Sequence, residues 1–191
     1  MTIVSGKEIV QTARDNGYAV GAFNTNNLEW TQAILRVAQA KQAPTIIAAS
    51  MGAIKYMGGF ETVANLIRNL DQSLEINVPI SIHLDHGDYD SAKAAIKAGF
   101  TSIMFDGSHL PLIENLEKTR EIVALAHEKN ISVEAEVGSI GGEEDGVIGN
   151  GEIASVADAI AMIQTQIDFI AAGIGNIHGL YPENWHGLNL N

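Results

Sequence analysis

The sequence predicts a parallel α/β fold, its sheet either open or closed into a barrel, in a single domain over residues 1–191. Three observations carry that expectation. Short apolar runs rich in Ile, Val, Phe and Ala alternate with amphipathic helical segments along the whole chain. Charged residues make up 18% against 46% hydrophobic, below the roughly 25% charged content usual in soluble domains, which argues for much fully buried structure. Polar and ionisable residues gather where the apolar runs end, the rim on which such folds build their sites. A chain of 191 residues supports one sizeable core and not two.

The elements follow in order. Ser5-Gly6-Lys7-Glu8 reads as a capping box, opening a helix that stops at Asn16-Gly17. A strand over 19–24 comes next. Asn27 can cap a helix over 28–42, whose apolar stripe is Leu28, Ala33, Ile34 and Val37. A strand over 44–50 then leads to a helix over 60–70, and a strand over 79–85 to a helix over 89–98. The last three strands are expected over 102–106, 132–137 and 168–173, with helices over 113–128 and 156–166 between them. That amounts to about six βα units, where a closed (β/α)₈ barrel has eight and takes roughly 250 residues. The pattern therefore leaves two architectures open, an open sheet or an incomplete barrel.

Composition narrows the function. No window approaches the roughly 18 consecutive apolar residues of a membrane span, and the N-terminus lacks the layout of a signal peptide. The absence of cysteine excludes disulfides and thiolate metal sites and makes a cytoplasmic location the expectation. Eleven Lys and Arg against 23 Asp and Glu give a net charge of −12. Such a chain repels nucleic acid and anionic membrane, so neither is an expected partner.

The densest chemistry ends the third strand, at His83-Leu84-Asp85-His86-Gly87. Burying three ionisable side chains there without partners would cost several kcal/mol. Imidazoles suit zinc, and a carboxylate beside them suits a supporting role at the metal or proton transfer. Glu134 and Glu136 alternate with Val133, Ala135 and Val137, so both carboxylates share one strand face. In a strand covered on both sides they need a cation or a proton; in a solvated edge strand they do not. Asp106 and Asn24 each end a strand and could equally serve a turn. The segment from Gly138 to Gly146 reads as a mobile acidic loop able to deliver a carboxylate over a site. His178 lies among glycines and could be a metal ligand or a structural histidine, while His109 follows Asp106-Gly107-Ser108 toward the same rim. His127 and His186 read as surface residues. None of the seven lysines ends an apolar strand, which disfavours a Schiff-base mechanism and leaves metal chemistry as the better reading.

Taken together, these motifs resemble the class II, zinc-dependent fructose-bisphosphate aldolases. The resemblance runs through Gly17-Tyr18-Ala19-Val20-Gly21-Ala22-Phe23-Asn24, Tyr56-Met57-Gly58-Gly59, His83-Leu84-Asp85-His86-Gly87 and Phe105-Asp106-Gly107-Ser108-His109. It continues through Glu134-Ala135-Glu136-Val137-Gly138, Gly141-Gly142-Glu143-Glu144-Asp145-Gly146 and Gly175-Asn176-Ile177-His178-Gly179.

The resemblance implies a (β/α)₈ TIM barrel, here incomplete at about six of eight units. It implies zinc (Zn2+) as cofactor and reversible aldol cleavage of fructose 1,6-bisphosphate to dihydroxyacetone phosphate and glyceraldehyde 3-phosphate. His86 and His178 match two ligands of the catalytic zinc. Asp106 and Glu136 match positions that can hold a second or alternative divalent site. Asp85 matches the acid/base that moves the C4 hydroxyl proton, and Glu144 a carboxylate that exchanges a proton on the triose enolate. Ser50 and Gly179 match positions contacting the two triose phosphates, and Asn24 an asparagine facing the substrate. A monovalent cation and a homodimer are further expectations of the resemblance.

The family's third histidine ligand, glycine-rich phosphate loop and asparagine-rich substrate segment belong to its C-terminal part and have no counterpart here. Two alternatives stay open beside the fructose reading. One is a tagatose-1,6-bisphosphate aldolase. The other is a truncated, non-catalytic fragment of either enzyme.

Overall fold

A computed structural model describes residues 2–144, 147–149 and 151–190, without the side chains of Glu144, Val147 and Ile148. In chain order the elements are α1 (Gly6–Asn16), β1 (Gly21–Asn24), α2 (Leu28–Lys41), β2 (Thr45–Ser50), α3 (Met51–Met57), α4 (Phe60–Ser73), β3 (Ile80–Gly87) and α5 (Tyr89–Ala98). The series continues with β4 (Ser102–Phe105), α6 (Leu112–His127), β5 (Ser132–Val137), β6 (Gly141–Glu144), β7 (Val147–Gly149), α7 (Val156–Ile163), β8 (Phe169–Ala172) and β9 (Ile177–His178).

The six expected strands form one parallel sheet in the order β1-β2-β3-β4-β5-β8. Every strand pairs with the next expected one, so the chain winds steadily in one direction. A doubly wound open sheet reverses its order at a switch point; this one does not. The arrangement is a part-barrel, open between β1 and β8 among the described residues, which decides between the two architectures left by the sequence.

Register sorts the side chains into two faces, because paired residues of parallel strands point the same way. Ile47, Ile80, Ile82, Leu84, Ile103, Phe105 and Val133 face the helices. They pack there against Ile54, Val63, Ile67, Ala95, Phe100, Ile122 and Ala126. Most are fully buried, each contributing about 1.5–3 kcal/mol of hydrophobic stabilisation. The opposite face is polar. Ala48 pairs with His83, His83 with Ser102, Ser102 with Ser132, and Met104 with Glu134. These buried polar groups satisfy one another: Ser81 Oγ lies 3.1 Å from Thr101 Oγ1, His83 Nδ1 2.8 Å from Ser102 Oγ, and His83 Nε2 3.6 Å from Glu134 Oε2. His83 is therefore held in the wall of the part-barrel. Because β5 lies between β4 and β8, the solvated-edge reading of Glu134 and Glu136 is excluded.

Helix α1 closes the N-terminal end of this polar face. A Cβ on Gly6 would come within 2.9 Å of both Ser102 Oγ and Ser132 Oγ, so the helix rests directly on the strand ends. Ile3 bridges to Ile80, and Lys7 Nζ reaches Asp168 at 2.9 Å. The Asp168 carboxylate, with its side chain 2% exposed, also accepts from the Val133 N–H and from His127 Nε2, each at 2.9 Å. His127 lies on the surface, as expected, and from there joins the anchor at Asp168.

Several local expectations are corrected. The capping box does not form: Ser5 is the N-cap of α1 with no side-chain cap, and the Glu8 N–H bonds the Ser5 carbonyl at 3.1 Å. The Asn27 cap does form, accepting from the Trp30 N–H at 2.8 Å. On α2 the buried residues are Thr31, Leu35 and Ala38, not the stripe read from the sequence. Ile34 and Val37 instead line, with Tyr18 and Phe23, a cleft of about 720 Å³ beside β1. Helix α3 was not expected. Ser50 both ends β2 and caps α3, its Oγ accepting from the Ala53 N–H at 3.3 Å, so no linker separates them. The segment over 138–146 carries strand pairing through its described part: β6 pairs antiparallel with β7 and parallel with β9. Among the described residues no helix is long and apolar enough to cross a membrane.

The anchor at Asp168 makes stability depend on acid pH. Burial opposes ionisation of its carboxyl, but Lys7, the Val133 N–H and His127 outweigh burial and hold it below the usual carboxylate range. Its contribution is complete above the unfolded-state value near 3.9 and is lost as pH falls through the lower folded-state value. Asp168→Ala should lower stability at pH 7 by about 2–3 kcal/mol, chiefly by leaving the buried Val133 donor unsatisfied. It should also reduce the loss of stability between pH 4 and acid, both read from urea unfolding across pH.

Candidate metal centre

The site is built where strand β3 breaks its own alternation. Leu84 pairs with Ile103 but Gly87 with Phe105, three residues against two, which inserts one extra residue into β3. The extra residue lets Asp85 and His86, neighbours in sequence, both reach the polar face. His86 has φ +48°, a left-handed conformation uncommon for a residue with a side chain and typical of functional sites.

His86 meets two carboxylates from the next strands. Its Nδ1 donates to Asp106 Oδ2 at 2.9 Å and lies 3.7 Å from Glu136 Oε2. One ligand atom from each of His86, Asp106 and Glu136 falls within 4.8 Å of the others. The carboxylates are themselves oriented, Asp106 Oδ1 accepting from the Ser108 N–H at 3.0 Å and Glu136 Oε1 from the Ile140 N–H at 3.1 Å. Burial works against ionisation of Asp106, but the hydrogen bonds from His86 and Ser108 overcome it and hold its carboxyl at about 2. Burial, and then the Asp106 charge, push Glu136 up to about 7.

These residues fit a divalent cation. Glu136 Oε2 is buried and accepts no hydrogen bond among the described residues, although the Glu136 side chain is only 3% exposed. An imidazole and two carboxylates form an N/O donor set suited to zinc and neighbouring divalent metals. A cation between them would offset the burial and the Asp106 charge that together oppose ionisation of Glu136.

The other residues singled out in the sequence lie around this cluster or beyond the description. Asn24 Nδ2 donates to Asp85 Oδ2 at 3.3 Å across the ends of β1 and β3, and Ser50 is the register partner of Asp85. The His178 ring meets His86 edge-on, with centroids 5.5 Å apart and planes at 77°. Strand β6 holds it there, since Gly142 is the register partner of His178. Gly179 follows with φ +92° and open space around it. The Glu144 side chain and all of Asp145 and Gly146 lie outside the described residues. Sequence reasoning missed the Ser108 and Ile140 amides as orienting donors. The Asp-Gly-Ser run carried a signal for the first, because an aspartate commonly accepts from the N–H two residues on.

Residues 4–191 match the family model described as fructose-bisphosphate aldolase class-II. The chain belongs to the class II fructose-bisphosphate aldolase family. It is 67% identical over 190 residues to the fructose-bisphosphate aldolase of Streptococcus pyogenes serotype M1 and 66% to that of Streptococcus pneumoniae serotype 4, in each case across 100% of this chain. The Mycoplasma pneumoniae aldolase is 50% identical over 187 residues, or 98% of the chain. The chain spans 65% of the length of each of these relatives. Among solved structures, a Coccidioides immitis protein assigned as a fructose-1,6-bisphosphate aldolase superposes with a TM-score of 0.86 at 34% identity, over 96% of this chain and 65% of that one. A Campylobacter jejuni fructose-bisphosphate aldolase gives 0.78 at 25% identity, over 97% and 62%. The part-barrel is thus the portion of an aldolase barrel that this chain supplies.

The link between the hairpin and His178 can be tested at one atom. Gly142 has φ +88°, and a Cβ there would lie 2.0 Å from the His178 carbonyl oxygen. Gly142→Ala should part β6 from β9, raising amide exchange at Ile177 and His178 at least about tenfold while the β2–β5 amides keep their protection.

Proposed function

We propose that this protein serves metal-dependent, reversible aldol cleavage of fructose 1,6-bisphosphate to dihydroxyacetone phosphate and glyceraldehyde 3-phosphate. The observation that carries the reading is the His86–Asp106–Glu136 cluster on the C-terminal rim of an aldolase-family sheet. The relatives are fructose-bisphosphate aldolases by name, which favours the fructose substrate over tagatose.

His86 and His178 would hold a zinc ion, with Asp106 and Glu136 as the adjoining carboxylates. Bound there, zinc supplies Lewis acidity toward the ketose carbonyl. Asp85 takes the C4 hydroxyl proton in cleavage and returns it in condensation. The Asn24 amide, donating to Asp85 Oδ2, keeps the other carboxylate oxygen turned toward the substrate. Ser50 and Gly179 contact the triose phosphate portions, and Glu144 exchanges a proton on the triose enolate. With a net charge of −12, the chain does not draw a bisphosphate in by long-range attraction. Binding rests on local backbone N–H groups and on the cation. The reading places the protein in the cytoplasm as a homodimer.

Zinc content and cleavage of fructose and tagatose 1,6-bisphosphates, measured before and after chelation, test the proposal. Chelator-sensitive, zinc-restorable cleavage of the fructose substrate is the expected result, and cleavage indifferent to chelation would overturn it. Asp85→Ala should retain zinc and lose about 10²–10⁴ in turnover, whereas His86→Ala should lose the zinc itself.

A further inference from the structure

We propose that Asn115, on helix α6, is a positioning residue that sets the spacing between the two metal-binding carboxylates, an inference that rests on the metal reading of the site. Asn115 is 3% exposed and lies behind the sheet from the cluster. Its Nδ2 donates to the backbone carbonyl of Glu136 at 3.0 Å.

That carbonyl needs a partner because β4 stops short. The β4–β5 ladder ends with Phe105 opposite Ala135, one residue before Glu136. The chain then turns away through Asp106-Gly107-Ser108, and the Asn115 amide stands in for the strand donor that β4 no longer supplies. The Glu136 carbonyl can only accept, which fixes the amide with its nitrogen toward it; Thr119 Oγ1 gives its one proton to the Asn115 backbone carbonyl at 2.8 Å and lies 3.2 Å from Asn115 Oδ1.

The same oxygen touches the other carboxylate's loop. A Cβ on Gly107 would lie 2.3 Å from Asn115 Oδ1, so the side chain is wedged against the backbone between Asp106 and Ser108. Asn115 therefore meets the backbone of Glu136 on one side and the residue following Asp106 on the other. It touches no ligand atom itself. Its effect is on where β5 and the β4 loop present their carboxylates to the ion, and outer-shell partners of this kind are worth about ten- to a hundredfold in metal affinity.

The test uses the whole 191-residue chain. Zinc affinity is measured by competition with a chromophoric chelator, and ligand geometry by the visible spectrum of the cobalt-loaded protein. Asn115→Leu keeps the branched four-atom outline of the side chain and removes its donor and acceptor. It should weaken zinc binding about ten- to a hundredfold and shift the cobalt bands. Ile122→Val, two turns along the same helix in the apolar core, lowers thermal stability and should leave affinity and spectrum as in the parent chain. Gly107→Ala pushes on the same contact from the loop side and should weaken binding as Asn115→Leu does.

Parent-like affinity in a folded Asn115→Leu chain overturns the proposal, as does an equal loss in Ile122→Val. Should Asn115→Leu fail to fold, Gly107→Ala decides by the same criterion. A parent chain that takes up no zinc overturns the metal reading, and this inference with it.

Discussion

The single extra residue in β3 is the constraint on which the site depends. Regular alternation would send Asp85 and His86 to opposite faces, one into the polar interior and the other into the apolar layer under the helices. The register shift between Leu84 and Gly87 removes that conflict, at the cost of a left-handed backbone at His86. Leu84 and Phe105 stay in the apolar layer, so the core is undisturbed by the break. An aspartate and a histidine then stand side by side on one strand end.

The rest of the molecule holds that strand end in place. Apolar residues on the helix face of β2 to β5 account for the packing, and the polar face satisfies itself through short pairs such as His83 with Ser102. Helix α1 closes the far end, tied by Lys7 to the Asp168 carboxylate, which also holds His127 of α6. The two ends of the sheet are thus built for different purposes. At the N-terminal end three donors converge on one carboxylate and neutralise it. At the C-terminal end two carboxylates crowd one imidazole, and Glu136 is left reluctant to ionise. Excess negative charge at that end is what a cation can use.

The small second sheet gives the site a connection along the chain. By pairing β6 with β9 it couples the acidic hairpin to the strand that brings His178 against His86. Gly142 permits that pairing because any side chain there would occupy the position of the His178 carbonyl. The hairpin and the histidine therefore form one structural unit rather than two loops that happen to meet.

Much of this was legible in the residue order. Composition and period revealed all six strands of the main sheet to within two or three residues, because buried parallel strands are short apolar runs that need no partner to be recognised. Shared-face carboxylates at Glu134 and Glu136 followed from period two, and the ionisable end of β3 from its residue types. What the sequence could not supply came from contacts distant in the chain. It read the wrong stripe of α2 because the buried face depends on which neighbours are present, and Val37 meets the cleft beside β1 instead of a helix. It missed α3, whose seven residues are too few for a helical period to show. It placed His127 rightly on the surface but could not show its bond to Asp168, 41 positions away. The bulge at His86 depends on pairing with β4, and the role of Asn115 on where that strand stops. Residue types determined which groups could bind a metal; only the tertiary structure, by register and by backbone groups left without strand partners, decided which of them meet.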